Sequence, residues 1–283
     1  MNSRMLLDEN LNNGLNFSVL ISVYWKEKPA YIHKALRSIW NDQTLKPSEI
    51  ILVEDGPLTD ELDKEIKFFM QSAPVKIISL TQNQGLGRAL NEGLKHCTYE
   101  LVARMDTDDI SKSDRFEKQI GYMIQHPNVS VCSAWIDEFV DSPNDIKSVR
   151  KLPETHEEII AYSKKRCPIN HPVAVFRKSD VINCGGYQHC PFFEDYYLWC
   201  RMLNRGYIFH NLQESLLLFR ASKDMFNRRG GIQLCKNEYN FLRKIKSIGY
   251  ISTWEMCKAL IVRIPVRLMP SKLRSWLYKT LLR

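Results

Sequence analysis

Three aspartates fall within four residues, Asp106, Asp108 and Asp109. Carboxylates this close repel one another and raise one another's pKa. A divalent cation removes that penalty, and hard oxygen ligands suit Mn2+ or Mg2+. Such an ion takes one or two carboxylates and fills the rest of its shell with substrate phosphates and water. The Asp-x-Asp turn therefore reads as a clamp for a metal-bound diphosphate. The plainer alternative is a solvated turn that caps a helix, since Asp109 stands shortly before Ser111-Lys112-Ser113-Asp114. A second acidic pair, Glu54-Asp55, runs into Gly56-Pro57, a turn signature.

Both acidic turns end short apolar runs. Residues 17–24 form the first run, followed by 50–54, 75–80 and 101–105, with helical patterns over 29–40, 59–70 and 86–96 between them. Pro29 suits a first helical position. Strand and helix alternating at this spacing predict βαβ units, an α/β fold and a parallel sheet. Ligands of such sheets bind beyond the carboxyl ends of the strands, where the two acidic turns sit. Further on, the patterns predict a helix over 115–126, a β-rich stretch over 129–140, and strands over 172–176 and 216–220. Helices are expected over 194–203 and 224–248. The second half reads as an elaboration of the same domain.

The bulk numbers set the class. The chain has 283 residues, 44% hydrophobic and 25% charged, an ordinary globular composition. Its net charge of +8 is concentrated at one end: Lys258, Arg263, Arg267, Lys272, Arg274, Lys279 and Arg283 follow one another with no acidic residue, and the remainder is nearly neutral. A nucleic-acid binder would spread its charge over a working face, so no nucleic-acid partner is expected. Within 271–283, Lys272, Lys279 and Arg283 share one helical face and Leu273, Trp276, Leu277 and Leu281 another. That pattern fits either an interfacial helix on anionic lipid or a helix packed on the catalytic domain. No run reaches the roughly 18 apolar residues of a spanning helix. The N-terminus lacks the features of a signal peptide, and eight cysteines without a CxxC pair read as reduced, mostly buried thiols. The expected division is a flexible N-terminus over 1–15, a catalytic domain over 16–250 and basic amphipathic membrane-associating helices over 251–283. The expected location is cytoplasmic, peripheral on the inner face of the cell membrane.

Five motifs then fall in order. They are Ser22-Val23-Tyr24 with Glu27; Val53-Glu54-Asp55-Gly56; the stretch from Asn83-Gln84-Gly85 through Arg88 to Asn91-Glu92-Gly93; Asp106-Thr107-Asp108-Asp109; and Phe193-Glu194-Asp195-Tyr196-Tyr197-Leu198-Trp199. In this order they resemble the inverting family 2 glycosyltransferases with the nucleotide-binding GT-A fold. The likeness is greatest to bacterial enzymes that build O-antigen and exopolysaccharide repeat units, and it covers roughly residues 16–231.

The resemblance implies a Rossmann-like, mostly parallel central sheet flanked by helices, with a C-terminal helical extension. It implies that Ser22, Tyr24, Glu27, Asn83, Gly85 and Arg88 contact a nucleotide sugar, that Asp55 reads the uracil, and that Asp106 faces the nucleoside while Asp108 holds the metal. Asp195 would be the catalytic base, with Glu194 beside it; the same pair also suits a helix start, favoured by the macrodipole. His171, in Asn170-His171-Pro172, is either an acceptor or metal contact or a structural residue. Arg228-Arg229-Gly230-Gly231 is either a lid over phosphates or a basic surface turn. Phe192, Phe193, Tyr196, Tyr197 and Trp199 form either a sugar platform or, as the plainer reading has it, core. Cys184 and Cys190 flank Gly185-Gly186-Tyr187 and read as inert.

The implied reaction moves one hexose, galactose or glucose, in β linkage from a UDP-sugar to a saccharide on undecaprenyl diphosphate. The Gln-x-x-Arg-Trp motif and the spanning helices of processive synthases are absent, which favours single additions. A sugar-phosphate nucleotidyltransferase would need a Gly-rich basic first loop, which 22–29 lacks. A binding module without catalysis sits poorly with intact carboxylates at Asp106, Asp108 and Asp195.

Overall fold

The computed structural model describes residues 15–221 and 230–269. The first half comprises β1 (Phe17–Val23), α1 (Pro29–Ile39), β2 (Glu49–Glu54), α2 (Asp60–Met70), β3 (Val75–Ser79), α3 (Leu86–His96) and β4 (Leu101–Met105). Its central strands are near-continuous apolar runs because helices cover both faces of a parallel sheet. All of β4 is buried, and all of β1 except Ser22. Pro29 occupies the first turn of α1. Thr59 caps α2 by accepting the Leu62 N–H at 3.4 Å, and Asp60, Glu61 and Asp63 follow in the first turn, where the helix dipole favours them.

These strands pair in parallel in the order β3-β2-β1-β4. Val23 lies opposite Glu54, and Ile21 opposite Met105. The carboxyl ends of β1, β2 and β4 thus finish close to level, and the loops that follow them share one edge of the sheet.

The second half adds β5 (Ile110–Ser111), α4 (Arg115–Gln125), β6 (Val129–Phe139), β7 (Ile146–Arg150), α5 (His156–Ser163), β8 (Val175–Arg177), α6 (Lys178–Asn183), α7 (Glu194–Asn204), β9 (Ile208–Arg220), α8 (Ile232–Ser247) and α9 (Thr253–Leu268). The sheet continues β4-β8-β6-β9-β5, with β7 on β6, for nine strands among the described residues. Here the pairing is mixed: β8 runs antiparallel to β4 and β6, while β6 and β9 are parallel.

Two expectations change. Residues 172–176 are not one strand but a 3-10 turn, His171–Val173, leading into β8. Pro172 suits that turn, having its φ preset and no N–H to give a ladder. Strand β9 spans 13 residues, well beyond the expected 216–220. Its first part contains buried Asn211, whose side-chain amide donates to Pro153 O at 2.7 Å and Pro168 O at 3.2 Å, so a polar residue is accommodated inside the sheet. Helix α8 begins at Ile232, within the expected helix over 224–248; residues 224–229 lie outside the described residues, as do 1–14 and 271–283.

The core covers both sheet faces. Phe17, Ile21, Ile32, Leu36 and Phe116 pack on one, and Leu20, Leu90, Phe176, Trp199 and Phe241 on the other. Helix α9 is held to α8 by Arg263 and Arg267, which reach the two oxygens of fully buried Glu238 at 2.7 and 2.9 Å. Among the described residues all eight cysteines are free, and five of them are buried, in keeping with reduced, mostly buried thiols.

Gly93 sets how closely α3 approaches the sheet. A Cβ there would stand 2.5 Å from Leu20 Cδ1 and 2.6 Å from Val53 Cγ2. Gly93→Ala, normally favourable in a helix, is therefore expected to destabilise by about 1–3 kcal/mol through overpacking. Urea unfolding checks this, and an alanine variant as stable as the parent would contradict the packing described.

Candidate active site

The loop after β1 is clasped to the aspartate-rich turn after β4. Glu27 Oε1 accepts the Lys28 N–H at 2.7 Å, and its Oε2 accepts the Thr107 hydroxyl at 2.6 Å. Ser22 lies at the end of β1 beside Val53, and Tyr24 is 38% exposed. The turn after β2 is joined in the same way to the start of α3. Asp55 is only 3% exposed. Its two oxygens accept the N–H groups of Gln84 and Gly85 at 2.6 and 3.0 Å, and Asn83 Nδ2 donates to its carbonyl at 3.1 Å. Asp55 thus meets any ligand through its remaining lone pairs, while the Asn83 and Arg88 side chains stand exposed at the rim.

Beneath the aspartate turn lies buried positive charge. Arg104 is fully buried and pairs with Asp106, while its Nε and Nη1 have no partner among the described residues. Arg115, also fully buried, donates to Arg104 O at 2.7 Å. Asp109 does not cap a helix: β5 follows it, and Asp114 stands at the N-cap of α4. It is a fully buried joint instead. Its Oδ1 accepts the Arg220 N–H at 2.8 Å, and burial, followed by Asp108 and Asp106, holds its carboxyl well above the usual range. Arg220 Nε donates to Asp108 O at 2.9 Å, and its guanidinium lies over Tyr31 at 3.8 Å and Phe139 at 4.5 Å.

Asp108 is raised as well, and it lies nearer solvent than Asp109. Burial, then the charges of Asp106 and Glu27, push its carboxyl up to about 7 in spite of Arg220. A half-buried carboxylate beside two more is a fitting place for a hard divalent cation. Among the described residues no group of three or more His, Cys, Asp or Glu side chains is arranged to hold a metal. An ion at Asp108 would therefore take the rest of its shell from phosphate oxygens and water.

Glu194 and Asp195 form the first turn of α7. Burial raises both pKa values; Asp106 raises that of Asp195 further, while the Tyr196 amide and Arg150 work against the rise. Cys167 Sγ lies 3.9 Å from Asp195 Oδ2, and Arg150 Nη2 donates to Cys167 O at 3.2 Å. The Glu194 side chain rests against the first turn of α3. Gly87 in α3 allows this contact face, for a Cβ there would stand 3.2 Å from Glu194 Cγ and 3.4 Å from Tyr187 Cβ. Asn91 brackets Tyr187, donating to its carbonyl at 2.7 Å and accepting its N–H at 2.8 Å.

His171 closes the circuit. Its Nε2 meets the Tyr187 hydroxyl at 2.9 Å, and the ring lies 8% exposed between Tyr187 and Trp199. Burial first, then Arg104, hold the imidazole well below its ordinary pKa and hence neutral. Asp55 is tied to the start of α3, Gly87 of the same helix lies against Glu194, and the charge of Asp106 acts on Asp195.

Of the aromatic group, Phe193, Tyr196, Tyr197 and Trp199 are buried and belong to the core, as the plainer reading expects. Phe192 is 59% exposed and has φ +69°, a conformation that costs a non-glycine residue about 1–3 kcal/mol. Arg228 and Arg229 lie outside the described residues. The sequence patterns did not single out Arg220, Arg150, Thr107 or Tyr187. Arg220 ends an expected strand, a weak signal; the other three become visible only when their elements meet.

A model described as glycosyl transferase family 2 matches residues 18–185. Over 271 residues the chain is 38% identical to a UDP-Gal:alpha-D-GlcNAc-diphosphoundecaprenol beta-1,3-galactosyltransferase of Escherichia coli, covering 94% of this chain and 96% of that one. It is 41% identical over 266 residues to the amylovoran biosynthesis glycosyltransferase AmsE of Erwinia amylovora, covering 93% and 98%. A solved structure of the mannosyltransferase PcManGT from Pyrobaculum calidifontis, in complex with GDP-Man and Mn2+, superposes with a TM-score of 0.65 over 94% of this chain and 75% of that one. At 16% identity that likeness concerns the fold.

Proposed function

The chain belongs to glycosyl transferase family 2, and from that premise we propose that it moves one hexose, galactose or glucose, from a UDP-sugar to a saccharide carried on a polyprenyl diphosphate, with inversion at the anomeric carbon. The donor and acceptor chemistry follows the E. coli relative, whose name states both. What supports the reading most is the convergence of Asp55, the Asp106–Asp108 turn and Glu194-Asp195 on one region, a nucleotide side and a proton-accepting side joined through α3.

In this reading the nucleotide lies over the carboxyl ends of β1 and β2, against Ser22, Tyr24, Asp55, Asn83 and Gly85. Glu27 acts by fixing Thr107, and Asp106, paired with Arg104, faces the nucleoside. Asp108 would hold Mn2+ or Mg2+, which when bound supplies neutralisation of the charge gathering on the departing diphosphate. Arg88 is a cation for the same phosphates, a task also assigned to Arg228 and Arg229. His171, first considered for the metal, is assigned instead to positioning Tyr187, because one ring nitrogen is already engaged there and the Arg104 charge stands nearby.

The acceptor hydroxyl is a poor nucleophile until its proton has somewhere to go. Asp195 takes that proton as the oxygen attacks the anomeric carbon opposite the leaving group. Its raised pKa makes it a better base than an ordinary aspartate. Glu194 sets the local field.

A lipid-linked acceptor requires approach to a membrane. No helix among the described residues is long and apolar enough to cross one. Helix α9 exposes Trp254, Ile261 and Val262 on one face, each about two-thirds or more accessible, with Lys258 over the Trp254 ring. Apolar and basic side chains on one helix face suit an anionic lipid surface. This supports the expected role of 251–283, whose last segment, 271–283, lies outside the described residues.

Asp195→Asn is expected to lower kcat by about two to four orders of magnitude with little change in UDP binding. Near-normal turnover would remove the base from this position. Chelation by EDTA should abolish transfer from the UDP-sugar and added Mn2+ or Mg2+ should restore it; full activity in chelator contradicts the metal at Asp108. The charge of Arg150 lowers the Asp195 pKa, so Arg150→Ala should raise it. The acid limb of the kcat–pH profile then moves to higher pH, because the base becomes protonated sooner as pH falls. A limb that stays in place or moves down would separate Arg150 from the base.

A further inference from the structure

Phe192 accepts two unfavourable conditions at once. Among the described residues it is the one non-glycine with positive φ, at +69°, and its ring is 59% exposed. The neighbouring Phe193 shows that the segment can bury an aromatic, for it is 8% exposed and stacks on Phe241 with centroids 4.9 Å apart. A glycine at 192 would take the same backbone without strain. Strain and exposure at one residue make sense where the side chain is used in that position.

The backbone conformation has a local anchor. The N–H of Phe193 donates to Cys190 O at 2.7 Å, closing a turn over Pro191 and Phe192, and Glu194, two residues on, rests against Gly87 at the start of α3. The ring is therefore presented immediately before the turn that carries Asp195, rather than left at the tip of an unsupported loop. A hexose offers a face of C–H bonds that an aromatic ring covers well, while its hydroxyls point outward to polar partners.

We infer that Phe192 is the platform for the acceptor's terminal sugar, holding the hydroxyl to be glycosylated beside Asp195. The acceptor is favoured over the donor because Phe192 is held in the turn that leads directly into Glu194-Asp195, whereas the nucleotide elements gather at Asp55 and the Asp106–Asp108 turn. This inference rests on the reading of Asp195 as the base.

The test compares wild-type enzyme with Phe192→Gly and Phe192→Tyr, using the UDP-hexose that wild-type consumes and a GlcNAc-diphospholipid acceptor. Phe192→Gly keeps the left-handed backbone and removes the ring. It should raise acceptor KM about tenfold or more, the scale of one covered aromatic face, with donor KM shifting less than about twofold. Phe192→Tyr keeps the ring and should return acceptor KM to within about threefold of wild-type. Thermal midpoints of both variants should stay near wild-type, since the ring lies outside the core. An unchanged acceptor KM in Phe192→Gly overturns the inference. So does a donor KM that rises as much as the acceptor KM, or a tyrosine variant no better than glycine. A wild-type enzyme that transfers no sugar defeats the transfer reading itself, before any variant is compared.

Discussion

Glu27, Asp106 and Asp108 bring negative charge to a half-buried edge of the sheet, where water screens it poorly. Left alone, such a cluster would protonate or push its loops apart. Two features hold it. The guanidinium of Arg104, carried on β4, lies under the turn and pairs with Asp106, and Arg220, at the end of β9, ties down both Asp108 and Asp109. The compensation stops short at Asp108 and Asp109, whose carboxyls both stay raised, that of Asp108 to about 7. Asp108 is the nearer of the two to solvent, which is why the proposed cation is assigned to it.

The bracing explains features of the fold that would otherwise look arbitrary. Strand β9 is long, and it runs beside β6 so that its last residue reaches the turn after β4. Asp109 is buried as a joint between β4 and β9 instead of serving a helix. Thr107 binds Glu27 and so draws the loop after β1 onto the same edge. Each contact lowers the freedom of a loop that would otherwise need to be ordered by substrate, which is how preorganisation favours binding.

Helix α3 links two of the acidic groups. Its N-cap Gly85 and the preceding Gln84 donate to Asp55, and Gly87 brings Glu194 against its first turn. Gly93, one and a half turns on, lets the whole helix sit close on β1 and β2. The small residues in the stretch from Asn83 to Gly93 are therefore spacing elements, and they set the distance between the loop after β2 and the α7 start. Tyr187, gripped by Asn91 and His171, adds a polar strut behind that contact.

Much of this was legible before any fold was known, and for a physical reason. Period and punctuation are local properties, so the apolar runs of β1, β2 and β4, Pro29 at the start of α1 and the acidic turns at strand ends could be read directly from residue order. Crowding marked Asp106 and Asp108 as a cation clamp by residue type alone, whereas the roles expected of Asp55 and Asp195 came with the resemblance to the family. Long-range pairing was not legible. Whether Asp109 caps a helix or locks onto Arg220 depends on where β9 lies, more than a hundred residues away. The same holds for Arg150 beside Asp195, and for Phe192 lying outside the core that takes in its aromatic neighbours. Residue order by itself determined the elements and the candidate acids, because helix, strand and turn preferences act over a few residues. Tertiary structure alone decided which acids lie near one another and which charges compensate them, because electrostatic and packing energies depend on distances that only the folded chain sets.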